Sequence, residues 1–459
     1  MLRRPQGPPT QTMISVLAVA LAAPLPCGPL DLPSALSLVS ARSDEVAIKQ
    51  AAVAGAEADR ALARAAGILP VATATIVTGP VPEAHGTQLE SKNSNRSLAG
   101  LGPFGRIDLN VVQPLWTWGQ ISAAKQAAQA GVEARELSVQ DTLQQVQLRV
   151  IQSYWGISLA TKLLSLADEV KNALVQVDKT IAEALAKQTG EITQEDKYRV
   201  AIFHSEVSQK TSEGEKALRL ARVTLAAMLG IDETELKLKE EALPPLTAQP
   251  LPNREEAIRK ATQSRPDLRA LDKAVEALQS LVSVSHRAQL PQFFAAGTFT
   301  YAYAPNRDPQ RNPWIRDDFN VLAAGVVIGL RQNLAFPLMR AQAQKAEAEL
   351  GVTRRQREGL ARLVQVQVDQ ALADLKAAEE KGAAAQAALS AGKSWFRSAG
   401  LNFEAGVSDA RALLDGYAGY VKSQADHAQA TYELLLARGH LDQVTGQPLS
   451  KGESTCVVR

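Results

Sequence analysis

The residue types that most often bind metals or perform catalysis are few and scattered in this chain. The five histidines follow no metal-binding spacing such as HExxH; they are His85, His204, His286, His427 and His440. The two cysteines, Cys27 and Cys456, form no CxxC pair, so neither a zinc site nor a disulfide framework is indicated. We therefore expect no catalytic residues, no metal site and no cofactor, and we interpret the chain as a protein other than an enzyme.

One short motif, Gly392-Lys393-Ser394, has the residues that end a phosphate-binding loop. Such a loop also needs a glycine five residues before Gly392 and a strand in front of it. The residue at that position is Ala387, and the motif lies within a long helical pattern. We therefore reject a nucleotide site.

The composition sets wide limits on function. The chain has 459 residues, of which 46% are apolar and only 5% aromatic, and its formal net charge is +2. A chain of this length can bury a large core, and a balance of charge this close to zero gives no indication of a nucleic-acid partner.

Two very long segments contain no proline, although the chain has 23; they run from Leu115 to Leu243 and from Leu338 to Gln447. Proline costs roughly 3 kcal/mol inside a helix, so its exclusion indicates long helices, which we place at about 119–188 and 338–402. Apolar residues recur there at steps of three and four, which is typical of coiled-coil packing. They include Val139, Leu143, Val146, Val150, Leu163, Leu166, Val170, Leu174, Val177, Ile181, Leu185, Val364, Val368, Ala371 and Leu375.

Four short segments favour strands. In the second, Ile107 and Leu109 alternate with Asp108 and Asn110, which is the period-two pattern of a half-buried strand. We place the strands at about 71–79, 106–115, 292–303 and 319–331. The segments between each pair, about 79–105 and 304–318, are expected to be long loops, and 31–68 a single helix.

The same order of elements occurs twice. Pro70 and Pro291 end a helix before a strand, Pro114 and Pro337 precede the long helices, and Gly190 and Gly406 end those helices, at offsets of about 220 residues. The first passage also contains Gly119. We infer an internal duplication, with a first repeat at 30–230, a connector at 231–253, a second repeat at 254–440 and a disordered tail at 441–459.

The N-terminal segment 1–23 is typical of an export signal. Arg3 and Arg4 precede an apolar run, and Ala20-Leu21-Ala22 fits a cleavage site. Cys27 raises the alternative of a lipid anchor, although the preceding Pro24-Leu25-Pro26 fits that pattern poorly. No later segment offers 18 consecutive uncharged apolar residues.

The strand lengths match those of strands that cross a membrane, which need about 9–11 residues. Four strands cannot close a barrel, since about eight is the lower limit. Because an open sheet edge in lipid leaves backbone groups unpaired, several copies must share one barrel, and three copies would supply twelve strands. The polar face, which includes Thr298 and Thr300, would then line a wet pore.

Three groups of residues resemble the TolC-like family of outer-membrane efflux and secretion channels. Arg265-Pro266-Asp267-Leu268 through Leu290-Pro291 is similar to the family's passage from helix to strand, and Val111 to Trp116 with Gly119 to its passage from strand to helix. Phe403-Glu404-Ala405-Gly406 followed by Leu413-Leu414-Asp415 resembles its turn at the periplasmic tip. The resemblance covers about residues 30–440.

The resemblance implies a mainly α fold with a small β part, built from a duplicated helix–strand–strand–long helix–helix unit. Three identical chains would form a 12-stranded β-barrel continued by a long α-helical barrel. It also implies a passive exit channel in the outer membrane of a Gram-negative bacterium, serving a tripartite efflux pump or a type I secretion system. Its partners would be outer-membrane lipid, a periplasmic adaptor protein and an inner-membrane transporter.

The same resemblance implies a gate at the periplasmic tip, near the turns at Gly190 and Gly406. Asp196 and Asp415 match acidic gate positions, and Phe403 stands where a tyrosine would be able to form a hydrogen bond. We hypothesise that three copies of Asp415 ring the narrowest point and favour cations; a solvated carboxylate outside the constriction is the alternative. The other functions that we consider are a periplasmic coiled-coil scaffold and an adaptor protein without a pore.

Overall fold

The computed structural model of the chain describes residues 28–68, 70–87, 100–187, 194–239, 242–245, 250–405 and 410–449. The expected signal segment 1–23, Cys27, Cys456, Gly190 and Gly406 lie outside these residues. In chain order the elements are α1 (Leu32–Arg42), α2 (Asp44–Ile68), β1 (Val71–Pro82), β2 (Leu101–Trp116), α3 (Gln120–Lys187), α4 (Gln194–Leu229), a 3₁₀ turn (Glu233–Glu235), α5 (Arg254–Ser264), α6 (Pro266–Arg287), β3 (Gln292–Tyr303), β4 (Val321–Arg331), α7 (Phe336–Glu404) and α8 (Ala410–Val444).

The long helices α3 and α7 have 68 and 69 residues and differ from their predicted bounds by two residues or fewer at each end. The residues predicted to form the apolar stripe are buried or half-buried where they are described. Val146, Val150, Val364 and Val368 are 1% exposed or less. A stripe of this kind along one side of a helix is what allows long helices to pack lengthwise.

Two predicted boundaries are wrong. The helix expected over 31–68 is divided at Ser43, which is extended and separates α1 from α2. The predicted disordered tail begins too early, because α8 continues to Val444 and buries Leu441 and Val444. The backbone amide and the hydroxyl of Thr445 both donate to the carbonyl oxygen of Leu441, at 2.9 and 2.8 Å, where the helix ends.

The four strands form one antiparallel sheet in the order β1-β2-β3-β4. β1 and β2 continue into the segment that was predicted to be a loop. Pro80 pairs with Pro103 there, beyond Gly105, where the pairing of β2 with β3 ends. The prolines therefore lie outside the three-stranded part of the ladder, where a missing N–H is tolerated.

The chain forms two compact units. The first comprises Met1–Ala52, Glu136–Ala270 and Glu358–Arg459. It contains three apolar clusters, in which α1 packs with α3 and α4, α5 with α7 and α8, and the far part of α3 with α4 and α8. Tyr154, one of the largest fully buried residues, donates through its hydroxyl to the carbonyl oxygen of Leu30 at 3.2 Å.

The second unit comprises Val53–Arg135 and Leu271–Arg357 and contains the whole sheet. Ion pairs join the helical segments of this unit to each other. Lys273 on α6 contacts Glu133 on α3 at 2.8 Å, and Asp272 on α6 contacts Arg357 on α7 at 2.8 Å. The sheet and the helix ends next to it therefore belong to one compact body.

Candidate functional site

The two faces of the sheet differ in polarity, as the alternation predicts. The antiparallel register pairs Asp108 with Thr75 and Thr300, and Asn110 with Thr73 and Thr298, so these polar residues share one face. The residues between them form the apolar face, which includes Ala74, Ile76, Ile107, Leu109, Val111, Phe299, Tyr301, Leu322, Ala324 and Val326. Ile76 and Val326 are 72% and 82% exposed, so the described chain leaves much of this face uncovered.

A polar cluster occupies the middle of the polar face. The guanidinium of Arg106 contacts the carboxylate of Asp108 through two nitrogens, at 2.7 and 3.0 Å, and the hydroxyl of Thr300 donates to Asp108 at 2.8 Å. Hydrogen bonds join the three side chains, and Arg106 and Asp108 remain about a quarter exposed. This arrangement suits a face in contact with water.

Both outer strands of the sheet have a free edge. Within the described residues, β1 pairs only with β2 and β4 only with β3. An edge strand presents a row of unpaired N–H and C=O groups and is a template for pairing with another chain. The sheet can therefore be extended on both sides by other copies.

The passage from β2 to α3 is a tight turn held by residues at the end of α6 and just before β3. Trp118 and Gly119 have positive φ angles of 56° and 79°, which turn the chain sharply before α3 begins. The indole N–H of Trp118 donates to the carbonyl oxygen of Pro291 at 2.6 Å. The guanidinium of Arg287 donates to the carbonyl oxygen of Gly119 at 2.8 Å, and it would have to shift to admit a Cβ atom at that residue, 2.9 Å away.

The prolines predicted to mark the junctions between strands and helices differ in where they lie relative to those elements. Pro114 lies inside β2 rather than after it, next to a register shift between Pro114 and Trp116, where a proline does not break the ladder. Pro70 and Pro291 directly precede β1 and β3. Pro337 lies in the first turn of α7, where no intrahelical N–H is needed.

No contact joins Phe403 to Asp415 among the described side chains, and the side chain of Asp196 lies outside them. Asp196 lies in the first turn of α4. Phe403 lies near the end of α7 and is 41% exposed. Asp415, on α8, is exposed and lies 4.0 Å from Arg411, one turn earlier on the same helix.

Close contacts between α7 and α8 involve three glycines that sequence reasoning missed. A Cβ atom at Gly392 would meet the hydroxyl of Ser423, and one at Gly419 would meet the ring of Trp395. Gly416 approaches the backbone of Phe396. The motif Gly392-Lys393-Ser394, which we rejected as a nucleotide site, thus lies in a continuous helix where glycine permits a close approach of α8.

A half-buried carboxyl group, that of Asp141, lies in the first unit. Burial is the main cause that raises the pKa of Asp141, and the nearby carboxylate of Asp267 raises it further. The side chain of Gln145 donates to Asp141 at 2.9 Å, and Arg265 and Lys49 also act to lower the pKa, but to a smaller extent. Arg265 itself forms a bidentate pair with Asp267, at 2.7 and 3.1 Å.

Two other kinds of site are absent from the part of the chain that the structure describes. No group of three or more histidine, cysteine, aspartate or glutamate side chains there is placed to hold a metal ion. None of the described helices combines the length and the apolar character needed to cross a membrane.

A small antiparallel sheet with one polar face and two helices of nearly 70 residues define a mainly α fold with a small β part. Residues 257–447 match the family described as "Outer membrane efflux protein". No curated protein sequence matches the chain.

Solved structures of outer-membrane channels are similar over almost the whole chain. The channel OprN matches with a TM-score of 0.73 and 18% identity, over 91% of this chain and 90% of that chain. CmeC of Campylobacter jejuni matches with a TM-score of 0.74 and 13% identity, over 90% and 85%. The open state of MtrE of Neisseria gonorrhoeae matches with a TM-score of 0.71 and 16% identity, over 92% and 90%.

These findings confirm the resemblance to the TolC-like family and the predicted mainly α fold with a small β part. The family match covers residues 257–447, whereas the structural matches cover about 90% of the chain. The family and the similar structures are channels, not enzymes.

Proposed function

We propose that this protein is a passive exit channel in the outer membrane of a Gram-negative bacterium. It would receive substrate from an inner-membrane transporter in a tripartite efflux pump or a type I secretion system, and release it outside the cell. The family match and the fold of the similar channels support this proposal.

The observation that carries the proposal is the four-stranded sheet with two free edges and two faces of opposite polarity. In lipid, each unpaired backbone group costs several kcal/mol, so the sheet must close. Three copies joined edge to edge, β4 of one to β1 of the next, form a 12-stranded barrel. The apolar face then meets lipid, and the cluster of Arg106, Asp108 and Thr300 lines the pore.

The helices would continue the pore into the periplasm. The tip turns at Gly190 and Gly406 would end this tube, with Asp196, Phe403 and Asp415 near its gate. A periplasmic adaptor protein would join the tube to the transporter, which supplies the energy. The junction at Pro70, Pro114, Gly119, Pro291 and Pro337 would lie where the barrel meets the helical tube.

A periplasmic scaffold or an adaptor protein without a pore is not favoured. Such a protein would lie in water, where the apolar face of the sheet should be covered, yet residues such as Ile76 and Val326 on that face are exposed. In water, an exposed apolar sheet with free edges promotes aggregation.

The proposal is tested by fractionation followed by conductance measurements. We expect the protein to remain with outer membranes after a high-salt wash and to migrate as a trimer after chemical cross-linking. The purified trimer should produce discrete conductance steps in a planar lipid bilayer. A salt-extractable monomer without conductance would exclude the channel and favour the scaffold.

A further inference from the structure

The loop between β3 and β4, residues 304–320, does not extend away from the sheet. It folds back along the ends of β1 and β2. Hydrogen bonds to the backbone of the segment at the end of β1 hold it there. The amide of Asp308 donates to the carbonyl oxygen of Ala84 at 2.9 Å, and the amide of Gly86 donates to the carboxylate of Asp308 at 2.9 Å. The guanidinium of Arg307 donates to the carbonyl oxygen of Pro82 at 2.7 Å.

The loop lies on the polar face of the sheet. Phe104 is on the same face as Arg106, because the two residues are separated by two positions on β2. The ring of Phe319 packs edge-on against Phe104, with the ring centres 5.4 Å apart. On that face a Cβ atom at Gly102 would overlap the side chain of Asn306, so a glycine is needed for the loop to approach this closely.

Arg307 takes part both in the contacts of the loop with the end of β1 and in the aromatic contact with β2. Its guanidinium lies 3.9 Å from the ring centre of Phe319 while it donates to Pro82, so one side chain joins the aromatic contact to the end of β1. A cation above an aromatic ring is attracted by the negative face of the ring. Ala302, near the end of β3, and Ala304, at the start of the loop, are 2% and 1% exposed.

The loop is also held internally. The carboxylate of Asp317 accepts hydrogen bonds from the backbone amides of Gln310, Phe319 and Asn320 at 2.9 to 3.0 Å. Burial acts to raise the pKa of Asp317, but these three donors and Arg307 outweigh it and lower the pKa. The lowered pKa favours the ionised carboxylate, which holds Gln310 close to the last residues of the loop, Phe319 and Asn320.

We propose that loop 304–320 is a fixed constriction at the outer mouth of the pore, and that Arg307 and Phe319 hold it there and so set the largest size of molecule that passes. This inference rests on the proposed function, since it requires the polar face to line the pore. The loop connects the strand ends farthest from the helices, so it would lie at the cell exterior. Three copies would narrow the opening from three sides.

The test uses a cysteine below the loop on the polar face. The substitution Asn110→Cys is made in the otherwise natural chain, and intact cells are treated with a small hydrophilic maleimide or with a polymer-linked maleimide too large for general porins. Chains without this substitution, which have only Cys27 and Cys456, give the background. Leu109→Cys, on the apolar face of the same strand, is the control for residues that should face lipid.

We expect the small maleimide to label Asn110→Cys at similar rates with and without changes in the loop. The large maleimide should label it slowly, and several times faster when Arg307→Ala or Phe319→Ala is added. Arg316→Ala is the matched control in the same loop, because Arg316 is 83% exposed and pairs only with its neighbour Asp318 among the described contacts. This control should leave the slow rate unchanged.

Two results would overturn the proposal, and they are distinguishable. If the large maleimide reacts equally fast with the parent and the loop variants, the polar face lines a pore but the loop does not restrict it. If neither maleimide labels Asn110→Cys above background, the polar face does not line a pore, and the proposed function fails with the constriction. Similar small-maleimide rates among the variants show that each of them has folded and inserted.

Discussion

The indole N–H of Trp118 and the carbonyl oxygen of Pro291 are joined by a hydrogen bond of 2.6 Å. Trp118 lies in the passage from β2 to α3, and Pro291 directly precedes β3. The contact therefore connects the passage from strand to helix after β2 with the passage from helix to strand before β3. Arg287 reinforces it from α6 through the carbonyl oxygen of Gly119.

Gly119→Ala should destabilise this junction. The residue has a φ of 79°, and a Cβ atom would lie 2.9 Å from the guanidinium of Arg287. An alanine at positive φ costs about 1 kcal/mol or more, and displacement of Arg287 adds to this cost. We expect a lower melting temperature of the detergent-solubilised protein, measured by the loss of helical circular dichroism.

Gly131→Ala is the matched control for that substitution. Gly131 lies within α3, and a Cβ atom there would meet no other atom within 4 Å. Alanine is the better helix former by about 1 kcal/mol, so this variant should be as stable as the parent or more stable. Equal losses of stability in both variants would contradict the role that we assign to the Gly119 turn.

The two faces of β2 should tolerate charge very differently. Leu109→Arg places a guanidinium on the apolar face near the middle of the strand, where contact with lipid would cost about 2–4 kcal/mol. Asn110→Arg places the same group one residue later on the polar face, beside water. We expect much less Leu109→Arg trimer in outer membranes, measured by gel electrophoresis of unheated samples, and near-normal amounts of Asn110→Arg. Equal amounts of the two variants would exclude a lipid-facing apolar side.

The periodic parts of the fold could be predicted from the sequence because their physical cause is local. The alternation around Ile107 and Asp108 predicts β2, and the absence of proline predicts α3 and α7. The extension of β2 to Leu101 could not be predicted, because Gly102, Pro103 and Gly105 are poor strand formers. They are extended because β1 lies opposite them.

The candidate site could be predicted only in part, for a similar reason. Its polar and apolar sheet residues follow from the period of two. The contacts of Gly119 with Arg287 and of Arg307 with Pro82 join residues far apart in the chain, which no local pattern records. The interruption of the helix at Ser43 could not be predicted either, because no proline or glycine stands at that position.

Asp415 is expected to influence the ion selectivity of the open channel, if it lies in the gate as we propose. Its partner Arg411 carries the opposite charge one turn away, at 4.0 Å, so the two residues should act in opposite directions. Asp415→Ala should weaken cation selectivity, and Arg411→Ala should strengthen it. The measurement is the reversal potential of single channels in a salt gradient. If both variants keep the parental value, these residues lie outside the constriction.

Asp141→Asn should change how stability depends on pH. Because the folded state raises the pKa of Asp141, the folded chain binds its proton more tightly than the unfolded chain does. The ionised carboxylate therefore destabilises the folded state, and this cost grows as the pH rises from the ordinary pKa of aspartate to the raised value. Asparagine removes the charge and can still accept the hydrogen bond from Gln145. We expect the variant to melt a few degrees above the parent at neutral pH, with the difference shrinking as the pH falls toward 4. A difference that stays constant across this range would show that the carboxyl group does not titrate with a raised pKa.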